Sequence, residues 1–547
     1  MKLDPAINPD RFSRQWVGEQ LYKCRTLSPY LRSRWRWLAS KGEGPVHTAE
    51  KTSINASMAA ANDDLRVTAA LLKRADLNLA ASDEELVDWA KAKAGSFERS
   101  IYCTGAPKSK AVAFLKPYGI AMPKVTNPKS EDAYHRQSIR LCSPQWWTRQ
   151  VRVLCQRHCE KMLREFGETR KLRGAYVSDY TVNRMVRAER RNRGFLKGME
   201  AENDLGQVYS LADLAALGMS NSDIRRGELQ LRMRGFQEWA AHHKEDNWES
   251  MFYTITCPSR FHAWHSRGGN NAKFDGSSPL DGQRYLCKVW ARIRTAWARE
   301  GIPAFGFRVV EPHHDGTPHW HLLFFIPAEF MKQATLIMRD YACSEDAAEL
   351  SSPKAKRARF TAVKMDPKKG DAAGYIAKYI SKNIDGFNVG IDVETGKASI
   401  DSSVRVVAWA RVWGIRQFQQ IGGPPVTVWR EARRLACCPA QLPKEGQLPL
   451  LAEQIIDSAD RSQWARFIEL MGGAIAKRVD RPMKTFYLIS QELGKFGEQV
   501  KRIKGVVTLG FLFPLISRPR KWLVRRIQSV GDWVGKKAAS PPLEYCQ

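Results

Sequence analysis

The spacing of apolar positions changes along the chain, and each change marks a different kind of element. Residues 146–166 are apolar at helical spacing, and 280–300 repeat the pattern with Tyr285, Val289, Ile293 and Trp297. Residues 251–256 are β-branched and aromatic, which predicts a strand that Pro258 stops. Further strands are expected at 304–311, 319–326, 414–420 and 426–429, and helices at 329–341 and 371–384, with Gly386 beyond the second. A charged connection over 345–361 separates them, and 431–435 begins a basic helix. Interleaved strands and helices predict an α+β layer, with helices on one face of an antiparallel sheet.

The flanks read as largely helical. Residues 59–93 predict helices, one of them opened by Ser82 with an acidic first turn at Asp83, Glu84 and Glu85. Residues 180–194 hold Arg184, Arg187, Arg190, Arg191 and Arg193, either a solvated face or a phosphate-contacting one. A short helix from Ser210 to Gly218 and another over 220–239 are compatible with a helix-turn-helix around 210–235. After joints at Pro439 and Pro443, helices are expected at 452–476 and 485–501, then a basic, loosely ordered tail from 518 to 547. The boundaries that follow are 1–95, a mixed and helical region; 96–245, basic and helical; 246–436, the α+β domain; and 437–547, helical and basic.

Composition narrows the partner. The 547 residues carry 87 Lys plus Arg against 57 Asp plus Glu, a formal charge of +30. Such an excess points to a polyanion. The 18 Trp add surfaces on which single-stranded bases can stack. At 43% hydrophobic the chain can bury real cores, which excludes a disordered polymer. The 11 Cys are scattered with no CxxC pair, as for reduced thiols in a cytoplasm. Cys142, Cys155, His158 and Cys159 could form a zinc group, against the alternative of buried thiols. Residues 1–10 hold no apolar signal segment, and the longest apolar run, 505–516, is broken by Pro514 and too short for a bilayer. A cytoplasmic protein without a membrane anchor is the expectation.

Two constellations carry chemistry. In a strand, His319 and His321 share a face while Trp320 and Leu322 take the other. Residues 312–318 hold two prolines and Asp315-Gly316, so they can close a hairpin that sets Glu311 opposite His319. Two imidazoles and a carboxylate on one face make a site for one divalent cation. Mg2+ or Mn2+ fits if phosphate oxygen and water complete the shell, and zinc is the alternative on ligand type. His313 and His314 stay loop residues. Tyr375 and Tyr379, four apart on a helix, lie on one face, and Lys378 and Lys382 follow each by three. A phenolate attacking a phosphodiester beside an ammonium is chemistry that this spacing allows. Alone, either motif is satisfied by an amphipathic element packed on a core; together they favour a catalytic site.

At these residues the chain resembles the HUH endonucleases, whose motif is two histidines around a hydrophobic residue. His319-Trp320-His321 matches that motif, Tyr375 and Tyr379 match its two-tyrosine form, and Phe252-Tyr253-Thr254-Ile255-Thr256 resembles its first strand motif. The run from Glu311 to His321, with 374–386 and Trp413-Gly414-Ile415-Arg416-Gln417-Phe418, looks like the replication gene A proteins of temperate tailed phages, which start rolling-circle replication. The match covers about 250–435. It implies a central antiparallel sheet with the histidine strand in the middle and the tyrosine helix against it. It implies that Glu311, His319 and His321 bind the cation. Tyr375 and Tyr379 would alternate as nucleophiles, leaving a 5′-phosphotyrosine and a 3′-hydroxyl that primes a host polymerase. A host helicase is the expected partner on DNA, since no GxxxxGK[ST] phosphate loop occurs here. A plasmid relaxase or transposase of related chemistry, and a noncatalytic DNA-binding regulator, are the alternatives.

Overall fold

A computed structural model describes residues 11–40, 50–366, 371–392, 395–396, 398–438, 442–443 and 447–527, of which the side chains of 11–14 and 50–56 are left aside. The chain forms two compact units: 1–166 with 490–500, and 167–489 with 501–547.

The first unit is helical, with Ser28–Ser40, Asp83–Phe97 and Pro144–Glu165 as main elements. Ser82 caps its helix in a capping box with Glu85, as its position predicts. Trp89, Tyr118 and Trp147 pack edge to face, 5.1 to 6.5 Å between ring centroids. The possible zinc group of Cys142, Cys155, His158 and Cys159 is not brought together among the described residues. Cys155 and Cys159 are buried in the helix, and the Cys159 thiol donates to the Leu79 carbonyl at 3.3 Å. Burial lowers the His158 pKa and pushes the Cys142 thiol up to about 11.

The second unit is built around one sheet. Its elements are α1 (Asp179–Lys197), α2 (Ser222–His242), β1 (Trp248–Thr256), α3 (Pro279–Arg299), β2 (Phe305–Pro312), β3 (Pro318–Pro327), α4 (Ala328–Cys343), β4 (Phe360–Lys364), α5 (Ala372–Lys382), α6 (Ser399–Trp413), β5 (Phe418–Ile421), α7 (Val426–Ala436), α8 (Leu450–Asp460) and α9 (Trp464–Leu470). The strand order is β4-β1-β3-β2-β5, antiparallel at every step. The mixture of helices and antiparallel sheets is the α+β class.

Helices cover both faces of this sheet, not one. Phe252, Phe305, Phe307, Leu323 and Phe325 meet α2, α5, α7, α8 and α9 on one side. Tyr253, Trp320, Leu322 and Phe324 meet α3, α4 and α6 on the other. The reason is legible in Leu322-Leu323-Phe324-Phe325-Ile326: an unbroken apolar run buries both parities of a strand, where a one-sided sheet would alternate. Each such side chain contributes about 1.5–3 kcal/mol when fully buried.

Other differences have local causes. Residues 426–429 are the first turn of α7: Val428, Trp429, Ala432 and Leu435 are buried at helical spacing, which overrides the β-propensity of Val-Thr-Val-Trp. Residues 485–501 are not a helix but part of a long hairpin, Met483–Leu493 against Gln499–Thr508. Gly497, at φ +72, belongs to its turn. The helical stretch over 452–476 is split into α8 and α9. The connection over 345–361 contains the helix Pro353–Arg359 and opens the edge strand β4. Strand β5 starts later than expected, and α6 was not foreseen. In the tail, Trp522–Arg526 pairs with Met199–Asn203, and 528–547 lie outside the described residues. A short helix, Leu211–Ala216, does precede α2, but α2 spends Leu229, Met233, Phe236 and Trp239 on the core. No helix among the described residues is long and apolar enough to cross a membrane.

Candidate functional site

The site grows from the β2–β3 hairpin. The loop 313–317 is tight and largely buried. Gly316 sits at φ +82, where a Cβ would come within 2.9 Å of the Tyr176 carbonyl, so the turn requires glycine. Asp315, fully buried, accepts from the Ala263 and Thr317 amides at 2.9 and 3.0 Å. The fixed turn sets the register: Glu311 opposite His319, and Val309 opposite His321. Across β3, Thr254 of β1 stands opposite His321.

Glu311, His319 and His321 therefore converge, with one potential ligand atom from each lying within 4.8 Å of the others. Among the described residues this is the one His, Cys, Asp and Glu cluster with such spacing. Glu311 Oε2 lies 3.9 Å from His319 Nε2 and 3.7 Å from His321 Nε2. Thr254 Oγ1 engages His321 Nδ1 at 3.1 Å, which turns Nε2 toward the carboxylate. The His313 ring stacks on His319 at 4.1 Å. Burial, then the neighbouring His313, His321 and Lys382, hold His319 far below its usual pKa, so it is neutral with a lone pair to give. Burial and His262 take His313 down to about 3. Burial alone would raise Glu311, but Lys382, His321 and Asn383 hold it below the ordinary range, as an anion. Two imidazoles and a carboxylate fit a divalent cation.

Helix α5 brings the tyrosines to the same face. Asp371 caps it, accepting from the Gly374 amide at 2.5 Å. Ile376 and Ile380 are buried in the core, which turns Tyr375 and Tyr379 toward the histidines. The Tyr379 ring lies 4.2 Å from His321 and 5.8 Å from Tyr375, and Phe252 packs against all three. Tyr375 is 44% exposed, whereas Tyr379 is partly buried. Burial, then the hydrogen bond with Tyr375, raise the Tyr379 pKa strongly, so its phenol stays protonated until positive charge arrives.

The two lysines part company. Lys378 is exposed on α5. Lys382, expected beside Tyr379, instead places Nζ 3.4 Å from Glu311 Oε2 and 3.2 Å from Asp392 Oδ1. Burial would lower its pKa, but Glu311 and Asp392 raise it, so it is a firm cation. Tyr176 donates to Asp392 Oδ2 at 2.5 Å, and Asn383 donates to Glu311 Oε1. Gln417 in turn donates to Asn383 Oδ1 at 3.2 Å. Sequence reasoning assigned no role to Tyr176, Thr254, Asn383, Asp392 or Gln417. Thr254 and Gln417 lay within motifs that carried the resemblance, and Asn383, four residues after Tyr379, carried a helical-face signal; Tyr176 and Asp392 come from distant segments with none.

The profile of bacteriophage replication gene A proteins matches residues 93–387, more than half of the chain. This chain belongs to that family. A replication gene A protein of Escherichia phage 186 is 40% identical over 417 residues, covering 75% of this chain and 59% of its own. The replication gene A protein of Escherichia phage P2 is 36% identical, covering 70% and 51%. A probable replication endonuclease from a Salmonella typhimurium prophage-like region is 32% identical, covering 74% and 50%. The chain thus spans half to six-tenths of the length of these relatives. No solved structure matches it. The family match takes in the β2–β3 hairpin and α5 and stops short of α6, β5 and α7.

Proposed function

We propose that this protein starts rolling-circle replication by cutting one DNA strand at an origin and later rejoining it, as an HUH-type endonuclease with a divalent cation. The observation that supports this is the meeting of both α5 tyrosines with Glu311, His319 and His321 on one face, with Tyr379 and His321 in ring contact at 4.2 Å. The relatives named as replication proteins and replication endonucleases point the same way.

A tyrosine oxygen displaces the 3′-oxygen of the scissile phosphate. A P–O bond to tyrosine forms, the P–O3′ bond breaks, and the 3′-oxygen leaves with a proton. The products are a 5′-phosphotyrosine and a 3′-hydroxyl from which a host polymerase extends while a host helicase unwinds. Because the bond energy is kept in the ester, the second tyrosine can take the strand in a second exchange. A cation on Glu311, His319 and His321 would polarise the phosphate and favour the phenolate. Lys382 adds fixed positive charge beside Glu311, and Thr254, Asn383 and Gln417 hold the ligands in place.

The test is incubation with supercoiled plasmid bearing the origin, with and without Mg2+, and recovery of the protein-linked strand. Y375F/Y379F should give no covalent adduct; an adduct that persists removes both phenols from the chemistry. H319A/H321A should lose cleavage by at least a hundredfold, on the order of a lost catalytic ligand set, while keeping DNA binding.

A further inference from the structure

The Trp413–Phe418 motif is not used up by the catalytic cluster. Gln417 faces Asn383, but Arg416 and Phe418 line a separate cleft of about 490 Å³ beyond the β2–β5 edge. That is within the roughly 300–1,000 Å³ of pockets that enclose a small ligand. Its walls carry Arg232, Arg416, Arg478 and Arg481, and no carboxylate lines it. Arg225 lies over the Phe418 ring at 5.2 Å and adds a fifth guanidinium.

These cations are only partly compensated. Arg232 is paired with Glu228 at 3.3 Å. Arg481 is buried and donates to the carbonyls of Met471, Gly473 and Ala476, with no carboxylate partner among the described residues. Arg416 and Arg478 are exposed at the mouth, also without an ion pair to a described residue. The first residues of α7, Val426 and Thr427, border the same cleft, so the positive end of that helix adds to its field. A concentration of guanidinium groups around a ligand-sized hollow selects phosphate.

We propose that this cleft binds a nucleotide of the single strand that flanks the cut, its phosphate between Arg416 and Arg478. The proposal rests on the endonuclease reading. The link between the two places is the short segment that leads into β5, in which Gln417 reaches the catalytic cluster through Asn383 while its neighbours Arg416 and Phe418 enter the cleft. Strand held in the cleft would thereby be registered on the site by three consecutive residues. Phosphate chemistry alone would also accept a free nucleotide, so the experiment has an arm for each source.

The probes are a fluorescein-labelled oligothymidylate of roughly 30 nucleotides, and dATP. R416E/R478E should bind the oligonucleotide roughly tenfold more weakly at about 0.1 M salt, with a shallower salt dependence. K332E/R339E, an equal charge change on the exposed side of α4, should shift it less than about twofold. Equal losses in the two variants would overturn the proposal, reducing the effect to net charge. So would saturable dATP binding that R416E/R478E abolishes while oligonucleotide affinity stays put. A far-ultraviolet spectrum and urea midpoint matching the parent protein show that R416E/R478E is folded. If adducts form normally but R416E/R478E binds like the parent, the cleft assignment falls and the endonuclease reading stands; absent adducts with binding lost in R416E/R478E mean the reverse.

Discussion

Asp392 is not one of the three clustered ligands, yet it pairs with Lys382, the cation beside them. Its buried carboxylate takes Lys382 on Oδ1 and both Tyr176 and Thr395 on Oδ2. D392N should leave Lys382 tied to Glu311 alone. The expected outcome is at least a tenfold lower rate of strand cleavage with DNA affinity little changed, about 1.4 kcal/mol of barrier. A parallel fall in affinity, measured by anisotropy, would make the residue merely structural; Y176F should give the same pattern, more weakly. At this scale the sequence was readable where chemistry and periodicity coincide. His319, His321 and Glu311 follow from strand parity and one short loop. Tyr375 and Tyr379 follow from helical spacing. Asp392 and Tyr176 do not, because they are 216 residues apart and only tertiary folding pairs them. Lys382 shows the limit differently: a spacing of three put it near a phenol, but buried carboxylates outcompete a phenol for an ammonium.

Among elements, α7 depends on a distant anchor. Its Glu431 is almost fully buried and accepts from Ser517 at 2.5 Å and from Arg518 at 2.7 and 3.0 Å, with Arg434 at 2.6 Å. Burial would raise this carboxyl, but Arg518, Ser517 and Arg434 keep it below the usual range. A folded-state pKa below the unfolded value, about 4.3 for Glu, contributes stability above that pH and loses it as pH falls through the folded value. E431Q should therefore cost about 2 kcal/mol in urea melts at pH 7, the scale of charged hydrogen bonds. The difference from the parent should shrink as pH drops below about 4, and a constant difference would show that packing, not charge, is lost. The same helix explains why element type was misread there: local β-propensity favoured a strand, and burial of Val428, Trp429, Ala432 and Leu435 at helical spacing in the core decided otherwise. In the 483–508 hairpin the error was the opposite, since Thr485, Phe486, Tyr487 and Ile489 carried a strand signal that the surrounding Glu and Lys obscured.

For the molecule as a whole, a formal charge of +30 should make binding to any DNA steeply salt-dependent. Between about 50 and 200 mM salt, affinity for a random duplex should fall by at least about a hundredfold, measured by filter binding; a flat response would mean that the basic residues face away from the nucleic acid. Folding supplies a second property of the entire unit. The hairpin that presents Glu311 and the histidines is insulated on both flanks by tryptophan, phenylalanine and leucine, and Thr254, Asn383 and Lys382 already engage His321 and Glu311, leaving His319 Nδ1 buried without a hydrogen-bond partner among the described residues. An ion arriving there would be a guest in finished architecture rather than a brace holding it up. A chelator should therefore silence the protein without unfolding it, lowering the melting temperature only by the small amount that lost ion binding accounts for, with the loss reversible on adding the ion back.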